Sequence, residues 1–277
     1  VISPIKKCIY CIEDASASTQ AYHVLSYASG NTEQRRYPQA EIVLPKTVVC
    51  DPCNNYFGSK VEPYLINHPY VQLWRVLEGI EGRRGRPVYQ AQGLNLSIRR
   101  SNLLVVEGNI DQIEVSGSGE IKIKTPSMQE VNHREVSRAL HKIAFEKLYL
   151  DALKEFDNDV EKARDAILSK DYDHLRQYVR KPGPNEYRPY GMARGGGTGA
   201  NIGRISFTAS SDKRIITPTY VGYSITFYGV RFVVTTAQDP NLLDHMLKQL
   251  EKDGLSSWMG ANEVFWTASG GSIIPSS

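Results

Sequence analysis

Four cysteines stand in two matching settings, Cys8-Ile9-Tyr10-Cys11 and Cys50-Asp51-Pro52-Cys53. A turn with two residues between its thiols lets both sulfurs face one point. Two such turns supply the four thiolates of a tetrahedral zinc site, with Zn–S distances of about 2.3 Å. A closed S4 site does no chemistry of its own; it pins two distant segments together. A redox Cys-x-x-Cys is the rival use, and it needs one pair in a thioredoxin-like βαβ setting. Disulfides need an oxidising compartment, for which the first residues, lacking an apolar signal core, give no support. Unrelated buried thiols are the plain alternative. Thirty-eight residues separate Cys11 from Cys50, so a sizeable segment is inserted between the two turns.

The first pair leads into Ala21-Tyr22-His23-Val24-Leu25, which reads as a strand or strand edge. The second continues as Asn54-Asn55-Tyr56-Phe57-Gly58 and on to Lys60 and Glu62, which reads as a helix. A zinc staple carries His23 toward Asn54 at the helix start. An imidazole serves as a general base, and an amide oxygen is a hard ligand suited to Mg²⁺. Together they suit metal-assisted hydrolysis of a phosphodiester. Each residue also has a simpler reading. His23 alone fits a core histidine, Asn54 and Asn55 fit helix caps, and Glu62 fits a solvated helix position.

Residues 8–62 resemble the HNH endonuclease domain of the zinc-stapled ββα-metal type. The resemblance rests on Cys8-Cys11, on His23 followed by the small-residue turn Ser29-Gly30-Asn31, and on Cys50-Cys53-Asn54-Asn55 with Gly58. The run Glu62 to Pro87 is similar to the stretch that succeeds this domain in some bacterial HNH proteins, and Arg138–Ala144 and Arg176–Arg180 are so more loosely. The resemblance implies a metal-dependent endonuclease acting on DNA. His23 activates the attacking water, and Asn54 holds one Mg²⁺ or Mn²⁺ ion, with Asn55 and Glu62 as weaker candidates. Cys8, Cys11, Cys50 and Cys53 hold a structural Zn²⁺, and cleavage leaves a 5′-phosphate and a 3′-hydroxyl. Restriction, defence or mobile-element systems are the implied setting, and a homodimer is compatible with the family's habits.

The chain departs from that family at one chemically important place. Tyr22 stands where an acidic metal ligand normally precedes the histidine, and a phenol ionises only near pH ~10. The usual proline two residues past the histidine is absent, and Thr47 stands near the position of an Asn that holds the histidine. Glu33, Glu41, Asp51 and Glu62 are the acids that could complete the cation site. A catalytically weakened, zinc-stabilised DNA-binding protein is the alternative reading.

The rest of the chain must position these residues. A net charge of +3 and a pI near 8.5 permit nucleic acid without demanding it. Lys60 and the loop cations Arg83, Arg84 and Arg86 are the candidate DNA contacts. A hydrophobic share of 41% fits a soluble globular chain, and no apolar run approaches the ~20 residues of a membrane span. The sequence therefore reads as cytoplasmic, with no membrane partner. The fold class is α+β, divided into an HNH-like zinc-bound part (1–85) and a scaffold or recognition region (86–277) with a Gly/Pro-rich loop at 181–204. A short helix is expected over 71–77 and a four-stranded meander over 94–124 with a hairpin at Gly108-Asn109. Asn132 and Glu135 form a capping box ahead of the apolar face Val136, Leu140, Ile143, Ala144 and Leu148, with His141 beside it as a structural residue. Helices come next over 157–169 and 171–179. Beyond the loop, strands are expected at 205–208, 215–216, 223–227 and 231–235. Asp239-Pro240 opens a last helix, with Leu243, Met246, Leu247 and Leu250 as its stripe.

Overall fold

The computed structural model describes residues 6–20, 22–25, 43–80, 88–91, 93–99, 103–115, 120–124, 131–194, 200–208, 219–227, 230–252, 263–267 and 274–275. Two short strands, β1 (Tyr22–His23) and β2 (Val43–Leu44), pair antiparallel, with Tyr22 opposite Leu44 and His23 opposite Val43. Three short helices come next: α1 (Asp51–Lys60), α2 (Glu62–Ile66) and α3 (Pro69–Leu77). Each carries a proline in its first turn, Pro52, Pro63 and Pro69, where the missing N–H has no intrahelical partner to lose. The prolines thus break one helical stretch into three pieces that bend around the core. Val71 and Leu77 are buried as their spacing predicts, and Trp74 is half-buried.

The expected meander divides between two sheets. β3 (Val88–Ala91), β4 (Leu94–Arg99) and β5 (Leu103–Gly108) pair antiparallel in sequence order. β6 (Ile113–Val115) pairs with β7 (Glu120–Lys124) elsewhere. No hairpin forms at Gly108-Asn109. Gly108 has φ +94°, and a Cβ there would lie 2.0 Å from the Gly93 carbonyl oxygen. Glycine at 108 thus lets the ends of β4 and β5 close, and Asn109 N–H donates to that same Gly93 oxygen at 2.9 Å. The Asn109 side chain then accepts from Asp111 N–H and caps a 3₁₀ turn over Ile110–Gln112, which carries the chain away to the second sheet.

α4 (His133–Glu155) is 23 residues long and starts where expected, with the Asn132 side chain accepting from Glu135 N–H at 3.2 Å. Asp157 and Asn158, at φ +51° and +68°, reverse the chain after it. α5 (Val160–Ile167) begins behind an Asp159 cap that accepts from the N–H groups of Glu161 and Lys162. A 3₁₀ turn at Lys170–Tyr172 leads into α6 (Asp173–Arg180). β8 (Gly191–Arg194), β9 (Ala200–Thr208), β10 (Thr219–Phe227) and β11 (Val230–Thr235) form an antiparallel sheet in the order β8-β11-β10-β9. Part of the expected 181–204 loop is therefore strand, while 195–199 lie outside the described residues, as do Ile215 and Ile216. α7 (Leu242–Lys252) packs on β11 and β9. It approaches so closely that a Cβ on Gly222 would meet Met246 Sδ at 2.4 Å. β12 (Glu263–Thr267) joins β7, and β13 (Ile274–Pro275) runs parallel to β5. The structure is thus mixed α+β with small sheets. Among the described residues no helix is long and apolar enough to cross a membrane.

One cluster of buried side chains continues from Cys8 and Tyr10 through α1, α3, β4 and α4 to β10 and β11. The expected apolar face of α4 is buried, but so are charged residues on its other side. Lys142 has no exposed surface. Its Nζ lies 2.7 Å from Glu62 Oε1 and 3.1 Å from Glu146 Oε2, donates to the Val24 carbonyl at 3.4 Å, and sits 4.8 Å above the Tyr22 ring. The Tyr10 hydroxyl donates to Glu146 Oε1 at 2.5 Å. One cation therefore serves two carboxylates. Burial pushes the Glu146 carboxyl up to about 7, against the pull of Lys142 and the Tyr10 hydroxyl.

Replacing Lys142 with Met leaves the buried Glu146 and the half-buried Glu62 without a counter-charge. The expected loss is about 3–5 kcal/mol, read from urea unfolding of the parent and of Lys142→Met. Glu146→Gln removes only the ionisation. Because the folded carboxyl titrates above its ordinary value, the contribution of Glu146 is fully present below the unfolded value of about 4.3. It is lost as the pH rises through about 7. Parent stability relative to Glu146→Gln is thus expected to fall across that window and stay level above it; a difference independent of pH would overturn the assignment.

Candidate metal centre and the strand–helix site

The four thiols converge. Their Sγ atoms all lie within 4.8 Å of one another. The thiols are free, and the Cys11 and Cys50 sulfurs stand 3.5 Å apart, well beyond a disulfide bond of about 2.05 Å. A zinc tetrahedron with Zn–S of about 2.3 Å has S–S edges of about 3.8 Å, so the cluster matches that donor set in type, number and size. The first turn closes with the Ile12 N–H donating to the Cys8 carbonyl at 3.0 Å, and Ile12 itself, at φ +67°, turns the chain onward. Cys50 N–H, at the start of the second turn, points to Cys8 Sγ at 3.4 Å. Cys53 sits in the first turn of α1. A hydrogen bond from the Cys53 thiol brings Cys8 down to about 5, against its burial. The same bond, with burial, drives Cys53 far up, and burial pushes Cys50 up to about 12. Thiols this close resist sharing more than one negative charge by themselves, and a divalent cation is what lets all four ionise.

The first turn is also plugged into α4. Tyr10, between its two cysteines, has its ring 4.4 Å from Phe57 and 5.4 Å from Phe145, and its hydroxyl reaches Glu146. The thiol cluster is thereby tied to both α1 and α4.

The segment before β1 is laced to the first turn of α1. Asp51 accepts from Thr19 N–H at 3.3 Å, from the Thr19 hydroxyl at 3.2 Å and from Gln20 N–H at 3.4 Å. Asn54 Nδ2 donates to Gln20 Oε1 at 3.0 Å. His23 lies three residues beyond Gln20, so these bonds fix where β1 leaves the helix. Successive strand residues point to opposite faces. Tyr22 takes the core face, and its burial, with the neighbouring Glu146, raises its hydroxyl well above the ordinary value. His23 takes the other face and is half-buried.

The candidate acids are distributed unevenly. Asp51 is committed to Thr19 and Gln20, and Glu62 to Lys142. Glu33, Glu41, Arg83, Arg84, Arg86 and the turn Ser29-Gly30-Asn31 lie outside the described residues. Asn55 is exposed, and its carbonyl accepts from the Ser59 hydroxyl. Lys60 is exposed at the last turn of α1. Thr47, at φ +75°, offers its carbonyl and hydroxyl to Arg164 at 3.2 and 3.4 Å. Among the described residues, the thiol cluster is the one group of His, Cys, Asp and Glu side chains close enough to hold a metal ion.

Two cations of the helical region, named in the sequence only within the loose resemblance over 138–144, have structural roles that the sequence did not announce. Arg138 on α4 donates through Nε to the Val179 carbonyl at 2.7 Å and through Nη2 to the Arg180 carbonyl at 2.6 Å, closing the end of α6. The same Nη2 donates to the Tyr56 hydroxyl of α1 at 2.5 Å. Lys142 is the other. Their signal was the spacing Arg138, Lys142, Glu146, three charges four residues apart on one side of a helix whose other side is apolar. No protein-family model, curated protein or solved structure matches the chain.

The purified chain is expected to carry about one zinc per molecule by elemental analysis, as a single S4 site requires, and Cys50→Ser is expected to lose it. Because Tyr10 couples the centre to α4, chelation should lower the unfolding midpoint in one transition that includes the α4 helical signal. A helical signal untouched by metal removal would show that the coupling is absent.

Proposed function

We propose that the chain is a zinc-stapled ββα-metal endonuclease of the HNH type that hydrolyses phosphodiester bonds in DNA. The observation that carries this reading is the order β1–β2–α1 closed by four converging thiols, with His23 on the strand face opposite the core. In this reading His23 takes the proton of the attacking water. Gln20 holds the Asn54 amide by its nitrogen, which orients the oxygen for a hard cation. A bound Mg²⁺ or Mn²⁺ ion supplies charge stabilisation at the scissile phosphate and leaving oxygen. The zinc centre stays outside the reaction and holds strand and helix in register. DNA is the proposed partner, and a homodimer is compatible with this assignment.

A second reading has its own support. Tyr22 is buried in the Lys142–Glu146 cluster, and Asp51 and Glu62 are each engaged elsewhere. That pattern favours a zinc-stabilised DNA-binding protein weakened in catalysis.

The test is nicking of supercoiled plasmid with Mg²⁺ or Mn²⁺ by the zinc-loaded chain. Cleavage is expected, reduced roughly 10²- to 10⁴-fold in His23→Ala, as removal of a general base predicts. Binding at low salt without cleavage selects the second reading. No affinity for DNA at low salt overturns both.

A further inference from the structure

The outer side of α1 is wide and bare. From Asn54 to Lys60 every residue except the buried Phe57 is exposed or half-buried. At about 100° per residue these positions sweep roughly 240° of the helix, with Asn54 at one edge and Tyr56 and Lys60 at the other. After Asp51 the helix carries no acid and one cation, Lys60. Gly58 lies within the arc. Its backbone is not left-handed, and a Cβ there would meet nothing within 4 Å among the described residues. Glycine weakens a helix interior relative to alanine, and nothing in this packing asks for it. A bare stretch of helix does let a bulky ligand come close to the backbone.

Tyr56 joins this arc to a second group of cations. Its hydroxyl donates to the Arg180 carbonyl at 3.3 Å, which sets the last turn of α6 beside α1. Arg180 and Lys181 are both exposed there. Cations at a helix C-terminus ordinarily answer the helix dipole. Here a buried residue already does so: Arg138 donates to the Val179 carbonyl at 2.7 Å and to the Arg180 carbonyl at 2.6 Å. Lys181 N–H donates to the Gln177 carbonyl at 2.8 Å. The exposed Arg180 and Lys181 side chains are therefore surplus to capping. The acids beside them are engaged, Glu135 with Arg138 at 3.1 Å and Glu186 with Gly183 N–H at 2.9 Å. The Tyr56 ring is 37% exposed, and the Arg138 guanidinium, 5.4 Å from its centre, helps to hold it in place.

We propose that the outer side of α1 and the end of α6 form one track for a DNA backbone. The strand enters at Asn54, crosses the bare arc at Gly58, and leaves over Tyr56 to Lys60, Arg180 and Lys181. Exposed cations bordering a helix side without a carboxylate select a polyanion. A fixed, exposed ring adds a flat contact for a sugar or base. A helix with its side chains is about 10–12 Å wide, roughly three nucleotides of one strand at about 3.4 Å each. The inference rests on DNA being the partner, and it holds for the cleaving and the noncleaving reading alike.

The zinc-loaded full chain is titrated with a labelled DNA duplex, read by fluorescence anisotropy over a series of salt concentrations. Mg²⁺ and Mn²⁺ are left out so that binding is read apart from cleavage. The logarithm of affinity is expected to fall linearly with the logarithm of salt concentration. Lys60→Gln should reduce that slope by about 0.9, the value of one phosphate contact, and Arg180→Gln combined with Lys181→Gln by about twice as much. Lys170→Gln removes an equal charge at the opposite end of α6, from an exposed position, and should leave the slope unchanged. Gly58→Ala should raise the unfolding midpoint and yet weaken binding several-fold, the reverse of what a glycine kept for packing would do. Binding by the parent with a slope that the Lys60, Arg180 and Lys181 substitutions leave unchanged overturns the track while keeping DNA as partner. An equal effect of Lys170→Gln overturns it in the same way. Poly-glutamate of matched charge that displaces the duplex as well as unlabelled DNA does also overturns it, because the surface then selects acids in general. Absence of duplex binding at low salt overturns the track together with the functional readings it rests on.

Discussion

Lys142 is a cation without exposed surface, and the surrounding elements are arranged so that it stays charged. Desolvation opposes its charge; Glu62 and Glu146 more than offset that and hold the ammonium above its ordinary value. The three groups come from two helices that are eighty residues apart in sequence. The Val24 carbonyl brings in the end of β1, and the Tyr22 ring covers the ammonium from the strand. A buried charge with well-placed partners is weak evidence for net stability, but removing one partner is costly. The arrangement therefore acts as a register lock: α2, α4 and β1 can pack only where the charges meet.

The four-thiol cluster depends on the same lock. Zinc knuckles are small and cannot bury enough apolar surface to fold by themselves. Here the first turn sends Tyr10 into a slot between Phe57 and Phe145 and hands its hydroxyl to Glu146. The four thiols close the other side of α1. The helix is thus held by sulfur at its start and by Arg138 on Tyr56 further along. His23 inherits its position from this frame through the Asp51 and Asn54 bonds to residues 19 and 20.

Local chemistry explains what was legible in the sequence. Cysteine spacing announces a four-thiol cluster because the turn geometry is local and its ligands are chemically distinctive. The Asn132 cap and the apolar face of α4 are equally local, and both appear as expected. Long-range choices were not legible. Gly108-Asn109 carries a hairpin signal, but the close approach to Gly93, fifteen residues earlier, decides its conformation. The 181–204 stretch reads as a break from its glycines, yet pairing with β10 and β11 makes strand of its last part. Glu62 looks like a solvated helix residue because its partner lies eighty positions away. For the proposed cation site, His23 and Asn54 stood out by type and spacing, whereas the engagement of Asp51 and Glu62 depends on tertiary contacts alone.

The tyrosine at position 22 is best understood through the same cluster. A two-residue strand sends position 22 inward whenever position 23 faces outward. An aspartate or glutamate at 22 would enter the cluster as a third carboxylate on one lysine. Glu146 is already pushed up toward neutrality there, and a further acid would raise the cost of every ionised group in the cluster. A phenol fills the space, covers the ammonium with its ring and adds no charge. The aromatic residue before His23 is therefore what this core requires. An acid introduced at 22 alone would disturb the packing of β1 on α4 before it could serve a cation on the opposite face.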